Sequence, residues 1–202
     1  FPNVGRLGAD IYLFSAYKTY GPHQGIMVVR RALAELLPNQ GHWFNAGSLS
    51  KKFTPAGPDH AQVAACAGMA DYIDALAEHH GLTGTLKERA MGVHDMIRAR
   101  ETELLQPLLD YLSDKNTATL IGPKDATVKA PTVAIDLPGS GEAAAAALSK
   151  HGFMTGGGDF YGARPLQSMC VDLDKGVLRL SFVHYTSHAE MDQLSAALDA
   201  VL

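Results

Sequence analysis

The stretch of sequence that decides the fold is DIYLFSAYKTYGPHQG, residues 10–25. Its first part, 11–14, joins apolar and aromatic residues of high β-propensity, and this composition predicts a buried strand. Lys18 follows shortly after, and the Gly21-Pro22 pair then predicts a turn. A second apolar run at 26–29 predicts another strand. The sequence therefore places a lysine at the end of a buried strand, which is an unusual position for a solvated charge.

Lys18 has two interpretations at this stage. A lysine that forms a Schiff base must be unprotonated to attack an aldehyde, so it needs partial desolvation or neighbouring cations. Gly21 and Gly25 would let the backbone pass close to a ligand, and the Ser15 hydroxyl could bond a phosphate oxygen. The alternative is an ordinary lysine at a strand-to-loop edge whose ammonium group reaches water.

The middle of the chain is predicted to contain helices with one long irregular segment between them. A short helix is predicted over residues 31–37, ended by Pro38, and residues 39–58 show no periodicity and predict a long ordered loop. Asp59 predicts a helix start, and residues 61–76 are small and apolar nearly all round, so we expect a buried helix there. A capping box at Thr85 opens a long helix to about residue 112, which Pro107 should kink or split.

The last third mixes strands and helices. Strands are predicted over 117–121, 131–137 and 177–185, and a helix over 142–150. Ser187 with Glu190 forms a second capping box before the final helix. This order predicts the tail of an α/β domain followed by a smaller α+β domain.

Composition excludes several classes of function. Seventeen basic against 21 acidic residues, with a net charge of −4, leave no basic stripe, so we expect no nucleic-acid partner. No apolar run approaches the roughly 18–20 residues of a membrane span. The nine histidines do not stand at metal-ligand spacing, so no metal is expected. Two cysteines without a CxxC motif fit a reducing compartment, and we expect a cytoplasmic protein.

The run 10–25 resembles the pyridoxal-phosphate (PLP) lysine signature of class V aminotransferases and cysteine desulfurases, Asp-x-x-x-x-Ser-x-(His/Tyr)-Lys-x-x-Gly-Pro. The tail, 178–185 with 190–194, is similar to the arginine-bearing strand and closing helix of that family. The resemblance covers essentially the whole chain and implies the C-terminal half of a fold type I PLP-dependent transferase. Residues 1–58 would be the remnant of the large PLP-binding domain, and 59–202 the interdomain helix and the small C-terminal α+β domain.

The resemblance also implies roles for single residues. Lys18 would carry PLP as a Schiff base and move the substrate α-proton, and Ser15 would bind the cofactor phosphate. Tyr17 stands where the family more often has histidine. Gly57 lies in a stretch that, in the family's dimers, reaches the partner subunit's phosphate. The family's usual threonine is absent, so backbone amides near Gly57 would bind the phosphate instead. The alternative is that this stretch only leads the chain into a helix and binds no phosphate.

Arg179 is the predicted ligand of the substrate carboxylate. Because strand side chains alternate, Arg179 points away from Leu178 and Leu180. A guanidinium group binds a carboxylate with two parallel hydrogen bonds, and the resemblance implies this role for Arg179. The alternative is an ordinary ion pair on a half-exposed strand.

The segment GGGDFYG, residues 156–162, is open to a phosphate-binding or a flexible-turn interpretation. Cysteine desulfurases carry their reactive cysteine in the corresponding loop. This segment has no thiol, and Cys170 shows no feature of a persulfide-forming cysteine. Asp159 and Tyr161 are our candidates for shaping the substrate pocket.

The sequence therefore predicts a PLP-dependent transferase or lyase acting on an amino acid or amine. Transamination, β/γ-elimination, racemisation and C–S cleavage all stay open. No motif here matches the family's N-terminal site elements, so we expect the chain alone to bind PLP weakly or not at all and to be inactive, and the full-length protein to be a homodimer. The alternatives are a catalytically incomplete member that keeps the fold for dimerisation or interaction, and a binding module without a cofactor.

Overall fold

The computed structural model describes residues 2–54 and 57–202, which divide into two compact units at residues 94 and 95. Both units mix helices with antiparallel strands. The domain division expected at residue 58 concerns the family's domains and stays a prediction.

The first unit contains an antiparallel hairpin of two strands, β1 (Ile11–Ser15) and β2 (Gly25–Val29), followed by a short helix, α1 (Arg31–Leu36). These elements lie where the sequence predicts them. The expected burial of β1 is wrong, because Ile11 is 41% and Leu13 is 67% exposed. Within the described part of the chain, no second layer covers the outer face of this two-stranded ribbon.

Two helices, α2 (His60–Ala65) and α3 (Ala67–His79), occupy the region where one buried helix was expected over 61–76. Ala77 is the one residue of these described helices that is fully enclosed. The expectation of burial is therefore wrong for this chain. A helix that is apolar all round needs neighbours on every side, and the described residues do not supply them.

The long helix α4 (Leu86–Ser113) begins at the predicted capping box. The Thr85 backbone N–H donates to Glu88 Oε2 at 2.8 Å, and the Glu88 N–H donates to Thr85 Oγ1 at 3.3 Å. These bonds satisfy amides that the first helical turn leaves without partners. The helix continues through Pro107 and is not split there.

The second unit is built on a four-stranded antiparallel sheet with the order β3-β4-β6-β5. The strands are β3 (Thr119–Ile121), β4 (Thr132–Asp136), β5 (Gly156–Gly158) and β6 (Val177–Ser181). The helices are α5 (Gly141–Ser149), α6 (Ala163–Ser168) and α7 (His188–Val201). Strand β6 ends at Ser181, earlier than expected, and α7 begins with the predicted Ser187–Glu190 capping box.

One face of this sheet packs on helices to form the main core. Its largest fully buried side chains come from α4, α5, α7 and the two central strands: Leu105, Leu109, Leu112, Val133, Ile135, Leu148, Leu178, Leu180 and Leu198. The opposite face carries a smaller cluster of Leu166, Val171 and Val177, against which Phe160 packs. Arg179 lies between Leu178 and Leu180 in the sequence and is exposed. This alternation is the one predicted for β6.

Within the glycine-rich segment, residues 159–162 turn the chain, and residues 156–158 form strand β5. Its central residue, Gly157, faces the first turn of α5. A Cβ atom built at Gly157 would lie only 2.2 Å from the Glu142 nitrogen. The glycine is therefore required by the close approach of a helix to a strand.

Candidate active site

Lys18 lies in a 3-10 turn directly after β1. The backbone of this turn is anchored at Ala16, which is fully buried. The Ala16 N–H donates to the Gln24 carbonyl at 2.8 Å, and the Ala16 carbonyl accepts from the Gly21 N–H and the Thr19 hydroxyl, both at 2.9 Å. Lys18 is thus carried by a backbone segment that is hydrogen-bonded on both sides.

The side chain of Lys18 is exposed. Its Nζ lies 5.7 Å from the centroid of the Tyr17 ring. Within residues 2–54 and 57–202, no carboxylate forms an ion pair with Lys18 and no hydrogen bond holds its Nζ. The desolvation expected for a Schiff-base lysine is therefore not supplied by the described residues, whereas the amine is open to a ligand.

Ser15 and Tyr17 share this turn with Lys18. Ser15 ends β1, pairs in register with Gly25, and its hydroxyl makes no capping bond to the amides of the turn. The Tyr17 ring stacks on the His23 imidazole with 4.3 Å between centroids and 12° between planes. Three of the four predicted cofactor ligands, Lys18, Ser15 and Tyr17, are therefore neighbours in this turn and at the strand end before it.

The two glycines of the motif differ in their surroundings. A Cβ atom at Gly21 would lie 2.5 Å from Sδ of Met69, a side chain of α3. Gly21 therefore makes room for internal packing, and its predicted role in admitting a ligand stays a prediction. Gly25 has nothing within 4 Å of such an atom, so its surroundings are open.

Gly57 is exposed, two residues before the Asp59 cap of α2. The Asp59 carboxylate accepts hydrogen bonds from the N–H groups of Ala61 and Gln62, both at 3.1 Å. These two amides at the start of α2 are thereby already hydrogen-bonded. This favours a stretch that only leads into the helix over a phosphate-binding site. Of the predicted stretch around Gly57, residues 55 and 56 lie outside the described residues.

Arg179 projects from the face of β6 opposite the main core. Its Cζ lies 4.0 Å from the centroid of the Phe160 ring. In the part of the chain that the structure describes, Arg179 has no carboxylate within ion-pair distance. The alternative of an ordinary ion pair on this strand is therefore not observed, and the guanidinium N–H groups are available to an anion.

Asp159 and Tyr161 lie immediately after β5, which pairs with β6 so that Gly156 stands opposite Arg179. The Asp159 carboxylate accepts a hydrogen bond from the Tyr161 N–H at 3.0 Å, and the Tyr161 side chain is fully exposed. Asp159 and Tyr161 thus follow the strand that pairs with the strand carrying Arg179. Sequence reasoning missed Phe160, since β5 was not recognised as a strand.

The structure shifts the pKa of two titratable groups, His184 in the segment after β6 and Glu101 on α4. Burial lowers the pKa of His184, which favours the neutral imidazole. Burial raises the pKa of Glu101, while Arg98 and the His184 backbone amide partly oppose that rise. Neither residue was singled out as a site residue from the sequence.

The described residues offer no membrane-spanning helix and no metal site. None of the helices described there is long and apolar enough to cross a membrane. No group of three or more His, Cys, Asp or Glu side chains suited to a metal ion was found among the residues with described positions. Cys66 and Cys170 are both free.

Comparisons with known proteins identify a family. The model of the family described as aminotransferase class-V matches residues 2–194. An aminotransferase-like protein, FGM3 of Gibberella zeae, is 32% identical over 207 residues, which cover 99% of this chain and 48% of that protein. The chain therefore spans about half the length of this curated relative.

Solved structures show the same fold. The apo structure of a cysteine desulfurase from Thermococcus onnurineus is 19% identical, with a TM-score of 0.75 over 98% of this chain and 48% of the other. A variant of C-DES, with glycine covalently linked to its PLP cofactor, is 16% identical, with a TM-score of 0.65 over 98% and 48%. The fold is thus that of a portion of a fold type I PLP enzyme.

Proposed function

The chain belongs to the class V aminotransferase family, and from this premise we propose that it carries the cofactor lysine of a PLP-dependent enzyme acting on an amino acid or amine. The main support for the proposal is the environment of the Lys18 amine. Its turn is fixed by the buried Ala16, and its amine is open and unpaired among the described residues. A lysine of this kind can react with an aldehyde once a neighbouring surface excludes water.

The residues at this turn fit the cofactor. Lys18 offers a free amine for covalent attachment, and Ser15 offers a hydroxyl that no backbone amide of the turn occupies. The stacked Tyr17 and His23 rings provide an aromatic surface beside them. When bound, the cofactor would withdraw electrons from the substrate α-carbon. Lys18 Nζ, freed when the substrate amine replaces it, would then carry the α-proton.

Arg179 is the proposed ligand of the substrate carboxylate. Its unpaired guanidinium supports this role, because a fork of N–H donors matches the two oxygens of a carboxylate. Asp159 and Tyr161, which follow the strand paired with β6, are proposed to shape the pocket. The segment after β5 carries no thiol, so we propose a reaction other than persulfide formation on that loop.

For the whole protein we propose a homodimer located in the cytoplasm. The free Cys66 and Cys170 agree with a reducing compartment. The exposure of Lys18 supports the expectation that this chain alone binds PLP weakly and is inactive. A catalytically incomplete member that keeps the fold for dimerisation is the alternative, and large apolar side chains exposed in the first unit, such as Leu13 and Trp43, are the observation that favours it.

The test uses the full-length protein incubated with PLP and screened by absorbance against the common L-amino acids and simple amines. We expect a visible band from lysine-bound PLP that changes when a substrate amine is added. The band should be lost in Lys18→Ala and kept in Lys51→Ala, a control at an exposed lysine of the same unit. A protein with no band, or with the same band in Lys18→Ala, would favour the alternative.

A further inference from the structure

The Phe160 ring lies beneath the guanidinium group of Arg179, with 4.0 Å between Cζ and the ring centroid. This is the geometry of a cation–π contact, in which the ring face attracts the cation. We infer that Phe160 is a positioning residue for Arg179, and that it directs the guanidinium edge toward the carboxylate of an amino-acid substrate. The inference rests on the proposed function, and it adds a residue that neither the motif nor the family match assigns.

The backbone around Phe160 is unusual. Phe160 and Tyr161 have φ angles of +50° and +63°, so two consecutive non-glycine residues adopt the left-handed conformation. Residues with side chains avoid this region because the Cβ atom approaches the backbone. Here the Asp159 carboxylate holds the Tyr161 N–H at 3.0 Å, and the Asp159 carbonyl accepts the Gly162 N–H at 2.8 Å. A turn held in this conformation fixes the direction in which the Phe160 ring leaves the chain.

Strand β5 makes room for the ring. Gly156 stands opposite Arg179 in the pairing of β5 with β6. A Cβ atom at Gly156 would lie 3.0 Å from both Cε1 and Cζ of Phe160. Because Gly156 has no side chain, the Phe160 ring can lie close to β5, next to Arg179, the residue paired with Gly156.

The ring is also supported by the smaller apolar cluster. Phe160 packs against the group formed by Leu166, Val171 and Val177, on the same face of the sheet as Arg179. Phe160 is thus held by apolar packing, by the absence of a side chain at Gly156 and by the turn conformation. A side chain restrained in this way can restrain the cation that rests on it.

The contact has a consequence for specificity. A guanidinium group is planar, with its N–H donors in the plane. The Phe160 ring occupies one face, so the in-plane donors stay available, and they match a coplanar carboxylate with two hydrogen bonds. Loss of the ring should weaken the binding of amino acids and should not affect amines that lack the carboxylate.

The experiment measures dissociation constants from the amine-induced absorbance change of the PLP-bound full-length protein. Two probes are compared: the L-amino acid that gives the largest response in a panel of the common amino acids, and the amine that lacks its carboxylate. The variants are Phe160→Leu, which keeps an apolar side chain but has no aromatic ring, and Phe160→Tyr, which keeps the aromatic ring as a control. Gly156→Ala displaces the ring without altering it, and Arg179→Gln removes the cation.

We expect Phe160→Leu to raise the dissociation constant of the amino acid about two- to fivefold, the range for a cation–π contact at an exposed site. The constant for the amine should not change, and Phe160→Tyr should match the wild type. Gly156→Ala should shift the amino-acid constant in the same direction as Phe160→Leu. Arg179→Gln should raise the dissociation constant of the amino acid by more than about tenfold, since a charged hydrogen-bonding partner is lost.

Other outcomes would overturn the inference. If Phe160→Leu and Gly156→Ala both bind the amino acid as the wild type does while Arg179→Gln binds it poorly, Arg179 acts without help from Phe160. If Phe160→Leu weakens the binding of both probes equally, the ring supports the fold or the cofactor instead of the arginine. A wild-type protein that responds to neither amino acids nor amines removes the proposed function, whereas one that responds only to amines overturns this inference alone.

Discussion

Gly157→Ala should destabilise the protein by about 3 kcal/mol, the upper part of the usual range for overpacking a core. The new Cβ atom would lie 2.2 Å from the Glu142 nitrogen and the Gly141 carbonyl carbon, well under the 3.0 Å below which real Cβ atoms are essentially never found. Both atoms belong to the backbone of α5, so no side-chain rotation relieves the contact. Helix α5 or strand β5 must move, and the buried Leu148 and Leu178 lose contacts as they separate.

The assay is urea unfolding of the full-length protein, followed by circular dichroism, beside Gly139→Ala as a matched control. A Cβ atom at Gly139 meets nothing within 4 Å, so this variant should lie within about 1 kcal/mol of the wild type. If Gly157→Ala is as stable as Gly139→Ala, β5 is not packed on α5 as described. The placement of Gly156 opposite Arg179 would then lose its support.

Two further predictions concern ionisable groups. Glu190→Ala should destabilise the protein at pH 7 and less at pH 3. The Ser187 backbone and hydroxyl groups lower the pKa of Glu190, so its stabilisation is present above the ordinary carboxyl pKa of 4.5 and is lost as pH falls through the lower folded value. Glu101→Gln should raise the urea midpoint at pH 7 but not at pH 4. Burial raises the pKa of Glu101, so the cost of its carboxylate to folding grows as pH rises above the ordinary value of 4.5 and is complete above the raised folded value. Equal effects at both pH values, for either variant in urea titrations, would contradict these assignments.

Local features of the fold could be predicted from the sequence because short-range chemistry determines them. The capping box at Thr85 fixes the start of α4, and the one at Ser187 fixes the start of α7. The alternation along β6 correctly separated Arg179 from Leu178 and Leu180. In each case, the deciding interactions join residues within a few positions of one another.

Features that depend on distant packing could not be predicted. The glycines of β5 have low β-propensity, and their reason for being glycine lies in α5 and Phe160, which only the folded chain brings near. Helix α6 was missed because its six residues are too few to show a period. Burial of β1, α2 and α3 was overestimated, since an apolar pattern indicates a need for neighbours and does not show which residues supply them.

Six of the seven predicted site residues fall into two local groups, and Gly57 belongs to neither. Lys18, Ser15 and Tyr17 lie at the end of β1 and in the turn that follows it, whereas Arg179, Asp159 and Tyr161 lie on β6 or just after the β5 strand that pairs with it. The motif around Lys18 specified the first group because its members are adjacent in the sequence. The second group joins two segments that the pairing of β5 with β6 brings together, and for that reason Phe160 was found only in the structure.

The central claim is that Lys18 is the residue that binds PLP covalently. Its most direct test is borohydride reduction of the full-length protein incubated with PLP, followed by peptide mapping with mass spectrometry. We predict a reduced PLP adduct on Lys18 and none on Lys52, whose Nζ is buried and donates to the carbonyl groups of Ala34 and Glu35. An adduct confined to other lysines, or no adduct at all, would contradict the account.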